Sequence, residues 1–118
     1  MSRLLNSFRY AFRGIGLYFT SGKNVNIHLA ATVAVVAMGL YFHIHTHDWL
    51  VLLVFITIVH VTEALNTALE SLVDLVSPQQ HPLAGKVKDM AAGAVLISAI
   101  AAVIAGAIIF FPYFTSLA

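Results

Sequence analysis

Three long stretches of this chain carry almost nothing but apolar side chains, and the polar positions between them fall into short breaks. The first, Ile27 to about Phe42, is long enough with its flanks to cross a bilayer. After a short polar segment from His43 to Asp48, the run from Trp49 to Thr62 is again apolar, and its helix is expected to continue past the hydrocarbon boundary through Asp74 to Val76. The segment Ser77 to Pro82 ends that helix, since proline cannot extend one. The last span, Met90 to Phe111, is about 22 residues or roughly 33 Å of helix, against a hydrocarbon layer about 30 Å thick. Ahead of all three, from about Arg3 to Phe19, the residues Leu4, Leu5, Phe8, Phe12 and Ile15 recur at helical spacing while Arg3, Asn6, Arg9 and Arg13 turn elsewhere. This pattern predicts an amphipathic helix lying in the membrane surface, closed by a turn over Thr20 to Asn24. The expected fold is an all-α membrane protein: one domain over 1–118, with a surface helix at 3–19 and transmembrane helices at 27–42, 49–76 (cytoplasmic extension included) and 90–111.

Composition sharpens this picture. With 60% hydrophobic and 9% charged residues among 118, the chain is too apolar for a soluble domain of its size. A net charge of +1 from only six Lys and Arg argues against nucleic acid as a partner, because tracking phosphates needs a basic face. There is no cysteine, hence no disulfide framework and no thiol chemistry. The first residues, interrupted by Arg3 and Arg9, lack the apolar core of a secretory signal and are expected to stay in the mature protein. Arg3, Arg9, Arg13, Lys23, Lys86 and Lys88 all fall in the N-terminal segment or in a loop at Ser77 to Asp89, while the loop after the first span has none. Those two regions are therefore expected to be cytoplasmic. Ala91 to Ala94 and Ala101 to Ala107 supply small residues for close helix packing, and Trp49, Phe110, Phe111, Tyr113 and Phe114 suit an aromatic belt at the outer interface.

Chemistry concentrates in one place. Of five acidic residues, Glu63, Glu70 and Asp74 lie with Asn66 in a stretch that continues an apolar run, where an ionised carboxylate costs roughly 2.5 to 3.5 kcal/mol at mid-membrane. Glu63, Asn66 and Glu70 share one helical face, with Asp74 a turn further on. Glu63 sits seven residues deeper than Glu70, roughly 10 Å along the axis. That drier position suits a general base acting on a membrane-borne hydroxyl, whereas Glu70 is placed to hold Mg²⁺, which takes one or two carboxylates plus substrate phosphates. Lys86, Lys88 and Arg13 could offset phosphate charge; alternatively the acids simply pair with Lys86 and Lys88 and tether helix ends. His43, His45 and His47 have the chemistry of Zn²⁺ or Ni²⁺ ligands, yet without a fixed register they read better as interfacial residues. His60, one turn from Glu63, suits a packing role, and Tyr10 either stacks on adenine or anchors the surface helix.

The run Glu63 to Glu70, then Asp74, then His81 through Lys88 and Asp89 to Val95, resembles the signature of the small prokaryotic diacylglycerol kinase and undecaprenol kinase family. The likeness extends to the segments Phe8 to Gly14 and Asn24 to His28. The resemblance implies a homotrimer of three-span subunits in the bacterial cytoplasmic membrane, transferring the ATP γ-phosphate to a membrane lipid alcohol. By position it implies Glu63 as general base, Glu70 as magnesium ligand, Asn66, Lys88 and Asp89 in the catalytic and nucleotide shell, and Arg3, Tyr10, His81 and Gly85 near the nucleotide. Undecaprenol is the first expected acceptor, because His81 to Ala84 and Asn24 to His28 look more like that branch; diacylglycerol comes next. This family builds its site from helices, so the absence of a Gly-rich phosphate loop is no objection. One departure stands out: Gly22 occupies the place of a family carboxylate that helps hold the metal, a vacancy that Asp74 or a phosphate oxygen could fill. It keeps in play a weakened or non-catalytic lipid-binding relative. A small proton-coupled transporter, built on one isolated intramembrane Glu, fits less well with a cluster gathered at one end.

Overall fold

The computed structural model describes residues 2–116; residue 1 and residues 117–118 of the expected domain lie outside it. It contains four helices, α1 (Ser2–Ser21), α2 (Val25–Phe42), α3 (Thr46–Val76) and α4 (Pro82–Ser116). Three of them, α2, α3 and α4, are long and apolar enough to cross a membrane. At 1.5 Å per residue the 31 residues of α3 and the 35 of α4 reach about 46 and 52 Å. Both therefore outrun a hydrocarbon layer of about 30 Å, and α3 and α4 pack along each other as the main contact of the fold. Helix α2 packs on α3, and α1 meets α2 across the short turn at 22–24.

Two turns explain the helix limits. At the first, His43 adopts a left-handed conformation (φ 51°) and its N–H bonds to the Gly39 carbonyl, joined there by the N–H of Ile44 at 3.2 Å. That closure satisfies the end of α2 and folds the chain back into α3. Gly39 is required by the close approach that follows, because a Cβ there would lie 2.6 Å from Cη2 of Trp49. Ile44, Leu52, Ile109 and Phe110 form the buried cluster at this end, with Val35, Met38, Phe42, Trp49, Ile56 and Tyr113 packed around it. Phe110 thus belongs to the core rather than to an interfacial belt, whereas Phe111 and Phe114 do face outward.

The second turn corrects the expected loop at Ser77 to Asp89, for only residues 77–81 separate α3 from α4. Pro82 opens α4, where its missing N–H costs nothing and its fixed φ suits the first helical position. His81 completes the start, its Nδ1 accepting the Leu83 N–H at 3.1 Å. Lys86, Lys88 and Asp89 consequently stand on a helix in register with the tail of α3.

Candidate functional site

Burial along the acidic face of α3 falls steadily toward the 77–81 turn. Glu63 has no exposed surface and Asn66 only 4%, Glu70 is half-buried, and Asp74 is exposed. Such a carboxylate survives burial only with partners, and Glu63 finds them at the N-terminus of α2. Its Oε1 accepts the backbone N–H of Asn24 at 3.4 Å, at the end of a helix whose dipole favours negative charge. Its Oε2 lies 3.5 Å from His28 Nε2 and makes no hydrogen bond within the chain. One turn along, Asn66 Nδ2 donates to Glu70 Oε1 at 3.3 Å, leaving Asn66 Oδ1 buried and unpartnered. The Asn66 amide thus stands beside the Glu70 carboxylate with its own oxygen free of hydrogen bonds, and hard oxygen donors are what Mg²⁺ takes. Among the described residues no three His, Asp or Glu side chains converge as a metal cage, so a cation here would draw its remaining ligands from substrate or water.

Behind Glu63 runs a string of polar groups that sequence reading placed only in part. Tyr18 of α1 donates to His60 Nδ1 at 2.6 Å, His60 Nε2 meets Thr32 Oγ1 at 2.9 Å, and that hydroxyl donates to the His28 carbonyl at 2.7 Å. The partners assign the neutral His60 tautomer with its proton on Nε2. Burial first, then the charge of Glu63, pushes the Tyr18 phenol above its ordinary range, which keeps it a donor. His28 and Tyr18 carry no chemistry recognisable from spacing, since their partners lie 35 and 42 positions away.

Toward the turn, Lys88 Nζ donates to Asp74 Oδ1 at 2.6 Å. Both line a cleft of about 600 Å³ together with Gln79, Gln80, His81 and Gly85. An apolar cleft of about 450 Å³, including Leu69, Leu72, Leu83 and Val87, adjoins it across His81 and Ala84. Lys86 and Asp89 are exposed on α4, and Arg3, Tyr10 and Arg13 are exposed on α1. Among the described residues no hydrogen bond or ion pair joins α1 to α4. Gly22 closes the turn between α1 and α2, its N–H on the Tyr18 carbonyl at 2.9 Å, and an added Cβ would sit 2.7 Å from that oxygen. At the far end, His45 and His47 stack at 5.6 Å, His47 pairs with Asp48 at 3.4 Å, and Tyr113 donates to Asp48 at 3.0 Å.

Comparison with known proteins adds the following. Residues 9–110 match the profile of the family described as prokaryotic diacylglycerol kinase. The chain is 45% identical over 115 residues to a diacylglycerol kinase of Synechocystis sp., covering 97% of this chain and 66% of that protein. It is 38% identical over 112 residues to an undecaprenol kinase of Bacillus subtilis, covering 95% of this chain and 91% of that one. A diacylglycerol kinase of Escherichia coli is 26% identical over 113 residues, or 96% of this chain and 93% of that protein.

Proposed function

This chain belongs to the prokaryotic diacylglycerol kinase family of membrane lipid kinases, and from that premise we propose that it transfers the γ-phosphate of ATP to the hydroxyl of a membrane lipid alcohol. The observation that carries the reading is Glu63, a wholly buried carboxylate with one oxygen on a backbone N–H and the other free of hydrogen bonds. Burying such a charge is expensive; a base at a dry site accounts for it. Glu63 takes the proton as the lipid hydroxyl breaks its O–H bond, the lipid oxygen bonds to the γ-phosphorus, and the bond to ADP breaks with its electrons staying on ADP. Asn66 sits one turn from the base, where its amide can orient the reacting groups. Lys88 and Asp89 complete the catalytic shell, and Lys88 offsets phosphate charge.

Asp74, His81, Gly85 and Lys88 line a cleft of about 600 Å³, a volume suited to a nucleotide, and Lys86, exposed on α4 next in sequence to Gly85, is a further cation proposed to serve the phosphates. Glu70, with the Asn66 amide oxygen, would hold Mg²⁺, which when bound neutralises charge on the transferring phosphates. Arg3, Tyr10 and Arg13 reach the nucleotide in a homotrimer with active sites between subunits, a reading supported by the lack, among the described residues, of any polar bond from α1 to α4. The whole of 1–118 acts as one membrane-embedded domain, with α1 as an amphipathic helix on the cytoplasmic surface of the inner membrane and the N-terminus on that side. Undecaprenol is the first acceptor in this reading, supported by the likeness of His81 to Ala84 and Asn24 to His28 to the undecaprenol kinase branch, and diacylglycerol is the next. The test is transfer of γ-labelled phosphate from Mg-ATP in micelles offered undecaprenol and diacylglycerol separately, with products identified by mass. Undecaprenyl phosphate is expected as the faster product. Label in neither lipid, or undiminished transfer by folded Glu63→Gln, would defeat the reading.

A further inference from the structure

We infer that His28 is a positioning residue for the transfer: its imidazole holds the Glu63 carboxylate in the orientation from which Glu63 takes the lipid proton. This rests on reading Glu63 as the base. A carboxylate on a flexible two-carbon arm needs two fixed points to set the plane of its oxygens. Asn24 supplies one, through its N–H to Oε1 at 3.4 Å, and His28 Nε2 supplies the other, 3.5 Å from Oε2. The two come as a unit, because Asn24 and His28 are one helical turn apart and the His28 N–H bonds to the Asn24 carbonyl at 3.2 Å. The 3.5 Å separation is that of a close polar contact rather than a made hydrogen bond, and contacts of this kind tighten in a reacting complex.

His28 is itself constrained. The His60 ring stands edge-on to it at 6.4 Å, and the Thr32 hydroxyl binds its carbonyl. His60 cannot take over the role, for both its ring nitrogens are engaged, one by Tyr18 and one by Thr32. Among the described residues no other charged group pairs with Glu63. Helix α1 brings only the Tyr18 phenol, α3 adds His60 and, two turns away, Glu70, and the buried side chains of α4 carry no charge. His28 keeps a side-chain exposure of 13% against 0% for Glu63, so the base is wholly enclosed while its partner is not.

The experiment compares His28→Leu, which keeps the bulk and removes the N–H, with His28→Gln, which restores a donor. In micelles with Mg-ATP and undecaprenol, His28→Leu is expected to lower kcat about tenfold or more, because a small misplacement of a reacting group costs up to about a hundredfold. KM for both substrates should stay within about twofold, and His28→Gln should recover most of the loss. In a Glu63→Asp background, whose shorter arm already withdraws the carboxylate, His28→Leu should cost less than about a further threefold. Wild-type kcat in folded His28→Leu, an equal loss in both backgrounds, or His28→Gln as slow as His28→Leu would each overturn the inference. If His28→Leu yields no folded protein, His28→Ala is judged by the same criteria. The premise is tested separately: wild-type turnover by Glu63→Gln removes the base, whereas a slow Glu63→Gln beside an unaffected His28→Leu removes only the role of His28.

Discussion

At the scale of single residues, Glu63 and Glu70 occupy different environments on one helical face, and their substitutions should fail differently. Glu63→Gln removes a buried charge and keeps its shape, so turnover is expected to drop at least about a hundredfold with the fold intact. Glu70→Gln, at a half-buried position beside Asn66, should lose turnover on a similar scale but recover part of it as Mg²⁺ is raised. A Mg²⁺ titration of each variant separates the two. Gly22 tests the missing carboxylate. Because a Cβ would meet the Tyr18 carbonyl at 2.7 Å, any side chain there must first shift the turn, at a cost of about 1 to 3 kcal/mol. Gly22→Ala is expected to lower the melting temperature without changing the Mg²⁺ dependence. Gly22→Glu should lower it as much, and should reduce the half-saturating Mg²⁺ concentration by about tenfold if its carboxylate reaches the site. Equal Mg²⁺ dependence in the two variants would show that the position lies out of reach.

Among elements, the docking of α1 and the start of α4 hang on few contacts. Tyr18 is the one buried residue of α1, and its bond to His60 links that helix to α3. His60→Leu leaves the Tyr18 hydroxyl and Thr32 without that partner, and should expose α1 to proteolysis before the three long helices unfold, which limited digestion followed by mass analysis would detect. At α4, His81 caps the first turn and Pro82 opens it. His81→Ala should cost about 1 kcal/mol of stability and, if His81 also touches nucleotide, raise KM for ATP without changing the lipid KM. The start of α4 was hidden in the sequence because Pro82 and the polar residues around it read as a breaker; only the position of proline at the head of a helix, rather than inside one, reverses that meaning.

For the whole molecule, the apolar surface left by one chain is large: Leu40, Tyr41, Leu75, Val76, Met90 and Ile97 each expose more than half of their surface. Lipid and neighbouring copies are the environments that such a surface suits. A detergent-corrected mass should give three chains per particle in active preparations, and an active monomer would refute the shared-site arrangement. The sidedness proposed from the basic residues is directly measurable, since the chain has no cysteine. In intact cells, a single cysteine at Lys23 should resist an impermeant thiol reagent and one at Thr46 should react.

The sequence by itself determined that this chain is helical, that three of its stretches are long and apolar enough to cross a membrane, and that three of its five acidic residues gather on the Glu63 to Asp74 face. Long apolar runs and a 3.6-residue period follow from local geometry and solvation alone, and the family likeness of the acidic run is written in adjacent residues. The tertiary structure decided what those residues meet. Glu63 finds Asn24 and His28 because the turn at His43 folds α2 back along α3, and Lys88 finds Asp74 because α4 begins at Pro82, early enough to run beside the tail of α3. Phe110 is core rather than belt for the same reason, since a neighbouring helix covers it. Contacts between residues far apart in the chain depend on helix start points and crossing, and a one-residue change in either turns a side chain by about 100°, which no local pattern records.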